Sequence, residues 1–333
     1  MRAALPRRLL VAALTILLVV TATFAVLHLM PGDPVRLYLG PTADAATVAA
    51  ARRALGLDRP LPVQYAEWLA RFVTGRWGTS IAQQRPVAAV LGDALGPTLA
   101  LVGASLLLTY LGGVLVGAWQ AARRASRADA VVTAATTVLY ALPSYVVALA
   151  LVAVFAYGAA LWRWPAVLRF PAFGAAGLGA DLLGPGARLA DRLRHLVLPV
   201  TTLALVGVAG TARYVRGAVV DALRQPFVRA ARAKGIRETQ VLLGHAVRNA
   251  LVPVLTLFGL QLPALFSGVV FVETIFAWPG MGRVTVQAVL ARDYPVVMAA
   301  TAVFAVLVVA GNLLADALAA LTDPRRRQEG AGA

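Results

Sequence analysis

Six stretches of this chain are each about as long and as apolar as a helix must be to cross hydrocarbon: Leu9–Leu29, Thr98–Ala121, Val131–Tyr157, Leu196–Ala212, Leu251–Val272 and Pro295–Leu318. Roughly 20 residues cover the ~30 Å interior of a bilayer at the rise of an α-helix. Apolar residues make up 60% of the chain and charged ones only 14%, against about 45–50% and about 25% in an ordinary globular protein. The sequence therefore predicts an all-α integral membrane protein with six transmembrane helices. Leu142-Pro143-Ser144 interrupts the third stretch and predicts a kink or a tilted span. Arg2, Arg7 and Arg8 precede the first as they would in a cleaved leader. Its apolar run of about 21 residues exceeds the roughly 7–15 of a leader and no small-x-small site follows, so it reads as a retained span.

Orientation follows from the placement of positive residues, which stay on the cytoplasmic side of membrane ends. With the N-terminus inside, the four inner segments hold Arg2, Arg7 and Arg8; Arg123, Arg124 and Arg127; eight residues between Arg213 and Arg248; and Arg325, Arg326 and Arg327. They carry more than half of the 31 Lys and Arg residues, in short stretches, and favour N-in, C-in. The net charge of +16 thus reflects membrane topology. It forms no aromatic-interleaved patch for nucleic acid. Cysteine is absent, which leaves neither disulfides nor thiolate metal ligands.

Between the first two spans lies a polar segment, Pro31 to Pro97. It opens on the helix stop Met30-Pro31-Gly32-Asp33-Pro34. Helices are expected over Ala43–Leu55, closed by Gly56, and Pro62–Val73, closed by Gly75. Tyr65, Trp68, Leu69 and Phe72 recur at helical spacing, so an outer-face lobe is expected, serving either as a packed loop or as a docking surface.

The segment Arg213–Ala250 is chemically the most informative. Pro226 suits the first turn of a helix, where its missing N–H costs nothing. Gly235 can adopt the left-handed stop, which gives a helix of about nine residues. Ala230 and Ala231 leave one side small enough for another backbone to approach, with Arg229, Arg232 and Lys234 around it. A second helix, Glu238–Asn249, leads to a kink at Pro253. The pair reads as a protruding elbow, or more plainly as an amphipathic cytoplasmic loop.

Phe227-Val228-Arg229-Ala230-Ala231-Arg232-Ala233-Lys234-Gly235 followed by His245-Ala246-Val247-Arg248-Asn249-Ala250-Leu251-Val252-Pro253 resembles the coupling loop of binding-protein-dependent ABC transporter permeases. Leu29 to Pro34, Leu55 to Tyr65, Val272 to Gly282 and Arg292 to Val297 narrow the resemblance to the first permease subunit of the dipeptide, oligopeptide and nickel group. Arg229 stands where the broad family often has Glu, a departure common in the peptide subgroup. The resemblance covers essentially the whole chain. It implies a type I ABC importer permease fold with an outer lobe between spans 1 and 2. The implied divisions are an N-terminus and first span over 1–30, the lobe over 31–97, a five-helix core over 98–320 containing the coupling loop 213–250, and a tail over 321–333.

The resemblance further implies a cell-membrane subunit that forms half of a peptide pathway. Its partners would be a second homologous permease (a heterodimer), two ABC ATPase subunits or domains, an extracytoplasmic solute-binding protein and the lipid bilayer. No cofactor is expected in this chain, since ATP and Mg would be bound by the ATPases. Consistent with that, no Gly-x-x-x-x-Gly-Lys-Ser/Thr sequence occurs and no soluble region is large enough for an ATPase domain. Ala230, Ala231 and Gly235 would pack against the ATPase, and Arg229, Arg232 and Lys234 would supply charge. Nickel, glutathione-like compounds and oligosaccharides are alternative cargoes.

A secondary transporter would show paired ionisable residues near mid-membrane, and the spans hold almost none. Glu273, just after the fifth span, either borders a pathway or caps the turn to Trp278. Asn312 and Asp316, four apart in the last span, either bond to a neighbouring helix or line a pore. His28, His195 and His245 fall in separate regions and do not form a metal site. Gly112, Gly113, Gly117, Gly207 and Gly210 mark close helix packing.

Overall fold

The computed structural model describes residues 4–29, 35, 39, 42–54, 56–251, 254 and 268–322. The expected turn at Met30–Pro34, Pro253 with most of the fifth apolar stretch, and the Arg325–Arg327 tail lie outside the described residues. Among those described, regular structure is helical, apart from one isolated bridge between Thr79 and Pro86. Five helices among the described residues are long and apolar enough to cross a membrane: Pro6–Leu29, Val87–Ala122, Ser144–Leu161, Pro185–Leu223 and Tyr294–Ala317. The chain divides into two compact units, one of Arg2–Thr98 with Pro279–Val309 and one of Leu99–Trp278 with the segment from Ala310.

The first unit contains α1 (Ala4–Leu29), α2 (Ala45–Ala54) and α3 (Leu61–Val73), and the first turns of α4 (Val87–Ala122). Gly56 and Gly75 close α2 and α3 with φ of 69° and 73°, the left-handed stop that glycine reaches without a Cβ penalty. Phe24, Leu27, Val87 and Leu91 form the core of this unit with Met281 and Val297 from its second stretch of chain, and Tyr65 and Trp68 pack against it. The lobe's aromatic residues thus face inward, and Trp68, Phe72 and Trp77 stack at centroid distances of 5.3 and 5.7 Å.

In the second unit, α4 continues to Ala122 and is followed by α5 (Arg127–Ala141), α6 (Ser144–Val152, extended through a π-helical turn to Leu161) and α7 (Pro185–Leu223). The interruption at Pro143 is a full break rather than a kink within one span Val131–Tyr157. Leu142 is extended at ψ 131°, because the residue before a proline is pushed out of the helical region. The membrane-length apolar helix is therefore Ser144–Leu161. After α7 come α8 (Pro226–Ala233), α9 (Glu238–Gln240, continued through a π-helical turn Val241–Val247 to residue 251) and α10 over 268–275. The last two helices are α11 (Met281–Leu290), in the first unit, and α12 (Tyr294–Thr322), which begins there.

Helices α4 and α7 approach at glycine. A Cβ at Gly117 would lie 2.6 Å from the Ala212 carbonyl oxygen, and one at Gly113 would lie 2.5 Å from the Thr211 Cβ. Across the same seam Gly207 admits Thr109, whose Oγ1 lies 2.4 Å from where its Cβ would be. Membrane helices associate through such packing, because lipid supplies no hydrophobic drive between them. Gly117→Val is expected to lower the unfolding free energy of the detergent-purified chain by about 1–3 kcal/mol or more. Gly103→Ala, where no atom lies within 4 Å, is expected to leave it unchanged. Thermal unfolding of the two variants checks the pair, and equal stability would contradict this seam.

Candidate coupling site

The elbow starts where α7 ends. Gln225 is extended (φ −70°, ψ 152°), Pro226 opens α8 at its first turn, and eight residues later the helix stops. Gly235 has φ 75°, and the Ile236 N–H donates to the Ala231 carbonyl at 3.3 Å while the Gly235 N–H donates to Arg232 at 2.9 Å. These bonds satisfy carbonyls that the helix end would leave open. Ile236 then folds back, with Leu223, onto a small apolar core of Val228, Ala231 and Val241. Val228 and Val241 are fully buried, and enclosing each contributes about 1.5–3 kcal/mol. That core sets the angle between α8 and α9.

Burial divides the expected contact residues. Phe227, Arg229, Ala230, Arg232, Ala233, Lys234 and Gly235 are exposed. Ala231 is only 5% exposed and packs inside the elbow, which corrects its expected place on the partner-facing side. It lies three residues after Val228, on the same helix face. That pattern of Val228, Ala231 and Val241 was readable in the sequence. The small outward residues are Ala230 and Ala233, and Phe227 adds an apolar surface that sequence reasoning missed.

Arg232 is also engaged within the chain. Its Nε and Nη2 donate to the two Glu238 carboxylate oxygens at 3.0 and 2.5 Å, bridging α8 to α9 across the Gly235 stop. The Arg232 guanidinium holds the Glu238 carboxyl below its ordinary range. The pair's contribution is therefore complete above the usual carboxylate value and is lost as pH falls through the lowered one. Both groups are exposed, so water screens the gain and the pair serves mainly to orient.

The other candidate residues lie elsewhere. Glu273 is fully buried in α10. Its carbonyl accepts the Trp278 N–H at 2.8 Å while Ala277 takes φ 49°, so the main chain at 273 closes this turn. Asn312 and Asp316 share one face of α12, and the Asn312 Oδ1 is buried without a hydrogen-bond partner among the described residues. His195 is buried, with its Nδ1 2.9 Å from the Asp191 carbonyl oxygen. No group of three metal-binding side chains occurs among the described residues.

Ala231→Glu is expected to break the elbow, because a carboxylate beside Val228 and Val241 costs several kcal/mol to bury. Trypsin should then cut between Arg229 and Arg237 at least about tenfold faster than in the unaltered chain, the factor that 1.4 kcal/mol of easier opening gives. Ala230→Glu should leave cleavage unchanged. Equal cleavage of both variants would contradict this division of the helix.

Comparison with known proteins extends these observations over the whole chain. Residues 113–328 match the family described as binding-protein-dependent transport system inner membrane component. Residues 1–102 match the family described as binding-protein-dependent transport system membrane component, N-terminal. The chain is 38% identical over 326 residues to the oligopeptide transport system permease protein AppB of Bacillus subtilis, covering 98% of this chain and 99% of the relative. It is 38% identical to a putative peptide permease protein of Brucella ovis, covering 94% and 93%. The glutathione transport system permease protein GsiC of Salmonella choleraesuis is 36% identical, covering 96% and 97%. With its apolar helices and a family match over most of its length, this multi-pass protein belongs to the inner membrane components of binding-protein-dependent transport systems.

Proposed function

We propose that this chain is the permease subunit of an ATP-driven importer and forms half of a translocation pathway for peptides. It works with a homologous permease, two ATPase subunits or domains that bind ATP and Mg, and a solute-binding protein that delivers cargo. Six spans with both termini in the cytoplasm put the elbow inside, where the ATPases lie. In this reading the chain comprises a 1–30 anchor, a 31–97 outer lobe, a 98–320 core and a 321–333 tail. Glu273, Asn312 and Asp316 then belong to the pathway or to its packing. The chain itself catalyses nothing.

The observation that carries the reading is the elbow. A short helix with an outward face of Phe227, Ala230 and Ala233, ringed by Arg229 and Lys234, is fixed to the end of a membrane-length helix by its own small core. Such a part passes displacement without bending. Relatives named for oligopeptide, peptide and glutathione transport support a peptide cargo, glutathione being itself a small peptide. Coupling requires that the ATPase contact the elbow differently in its two states.

Copurification from native membranes by a tag on this chain tests the assignment. It should recover a second permease and ATPase subunits, with hydrolysis stimulated by the solute-binding protein plus short peptides. Ala230→Glu should abolish that stimulation while the chain still inserts. Recovery of this chain alone, with uptake that collapses when the ion gradient is dissipated, would overturn the proposal.

A further inference from the structure

About three helical turns before the elbow, Arg216 of α7 forks onto Asp129 in the first turn of α5. Its Nε donates to Oδ1 at 2.8 Å and its Nη2 to Oδ2 at 2.6 Å. Asp129 is 3% exposed and accepts two more donors, the Ala125 N–H at 3.2 Å and the Thr133 hydroxyl at 3.4 Å. The turn before α5 is shaped around this carboxylate. Ala125 takes φ 63°, a conformation that disfavours a residue with a Cβ, and so aims its amide at Oδ2. Ser126 caps the helix by accepting the Asp129 N–H at 3.1 Å.

The network reaches a third helix. Gln120, fully buried on α4, donates its Nε2 to the Thr133 Oγ1 at 3.0 Å. One turn along α7, Arg213 lies 4.5 Å over the Tyr140 ring of α5. The edge of that ring lies 3.0 Å from where a Cβ at Gly210 would sit. Helix α7 therefore grips α5 at two points, and α5 is tied to α4 through Thr133.

Asp129 is buried while the Arg216 side chain keeps 32% of its surface exposed, and a pair of this kind is a weak source of net stability, because desolvating the carboxylate offsets the attraction, and its best-attested use is to fix register. The two parallel bonds also fix the carboxylate in the guanidinium plane, a constraint that a lysine ammonium does not supply. We infer that Asp129 and Arg216 are a positioning pair that carries displacement of the elbow through α7 into α5 and α4, so that the three helices respond together when the ATPases move. The inference rests on the coupling reading above.

The test reconstitutes the complete transporter in proteoliposomes and measures peptide transported per ATP hydrolysed for Arg216→Lys and Asp129→Asn, beside thermal stability and recovery of the ATPase subunits. Both variants should recover the ATPases, yet their transport per ATP should fall roughly fivefold or more. The double variant Arg216→Lys with Asp129→Asn should lose no more than either single one, since all three break one link. The apolar replacement Asp129→Leu with Arg216→Met keeps the packed volume if the polar variants do not fold, and should be stable but uncoupled. An unchanged ratio in Arg216→Lys and Asp129→Asn, with lowered thermal stability alone, would reduce the pair to a structural brace and overturn the inference. Multiplying losses in the double variant would overturn it as well. Absence of ATPase subunits from the unaltered preparation would instead overturn the coupling reading, and the pair's role with it.

Discussion

The approach of α4 and α7 leaves no room for a methyl group at position 117, where a Cβ would lie 2.6 Å from the Ala212 carbonyl oxygen. In lipid, contact of this kind replaces the hydrophobic force that assembles helices in water. The end of α7 that leads to the elbow packs on the turns that follow it. Val215 and Val219, on the turns after the seam, are enclosed by Ala118, Ala121, Ala246 and Val247. That core fixes the end of α7, and the elbow is the continuation of that end.

The elbow repeats the same logic on a smaller scale. Its two helices are too short to hold an angle alone, since isolated helices of this length are marginal in water. The Gly235 stop turns the chain and the Val228, Ala231 and Val241 core sets the angle. The bidentate Arg232–Glu238 pair then orients the outside of the turn. Charge and small size therefore serve two purposes within a few residues. Arg232 and Ala231 build the elbow, whereas Arg229, Ala230 and Lys234 lie on its open surface.

Much of this was legible in the sequence where the cause is local. The glycine stops at 56, 75 and 235, the first-turn proline at 226 and the helical spacing of Tyr65, Trp68 and Phe72 each act within a few residues. The structure has them where those rules put them. Two features turned on local rules that were read too weakly. Leu142 before Pro143 ends a helix outright, and the period of Val228 and Ala231 assigns Ala231 to the inside. The Asp129–Arg216 pair was not legible. Its partners are 87 residues apart, and only the packing of α5 against α7 brings them together. The fifth apolar stretch lies largely outside the described residues, and the expectation of a sixth span rests on the sequence.

We propose the outward face of α8 as the surface on which an ATPase acts. Because the chain has no cysteine, single substitutions Ala230→Cys and Ala231→Cys report each position without background. The decisive measurement is labelling by a membrane-impermeant maleimide in inverted vesicles, with the ATPase subunits present and after they are stripped. Ala230→Cys should be labelled after stripping and protected when the ATPases are bound, while Ala231→Cys should stay unlabelled in both. Equal labelling of Ala230→Cys with and without the ATPases, or labelling only in right-side-out vesicles, would contradict it.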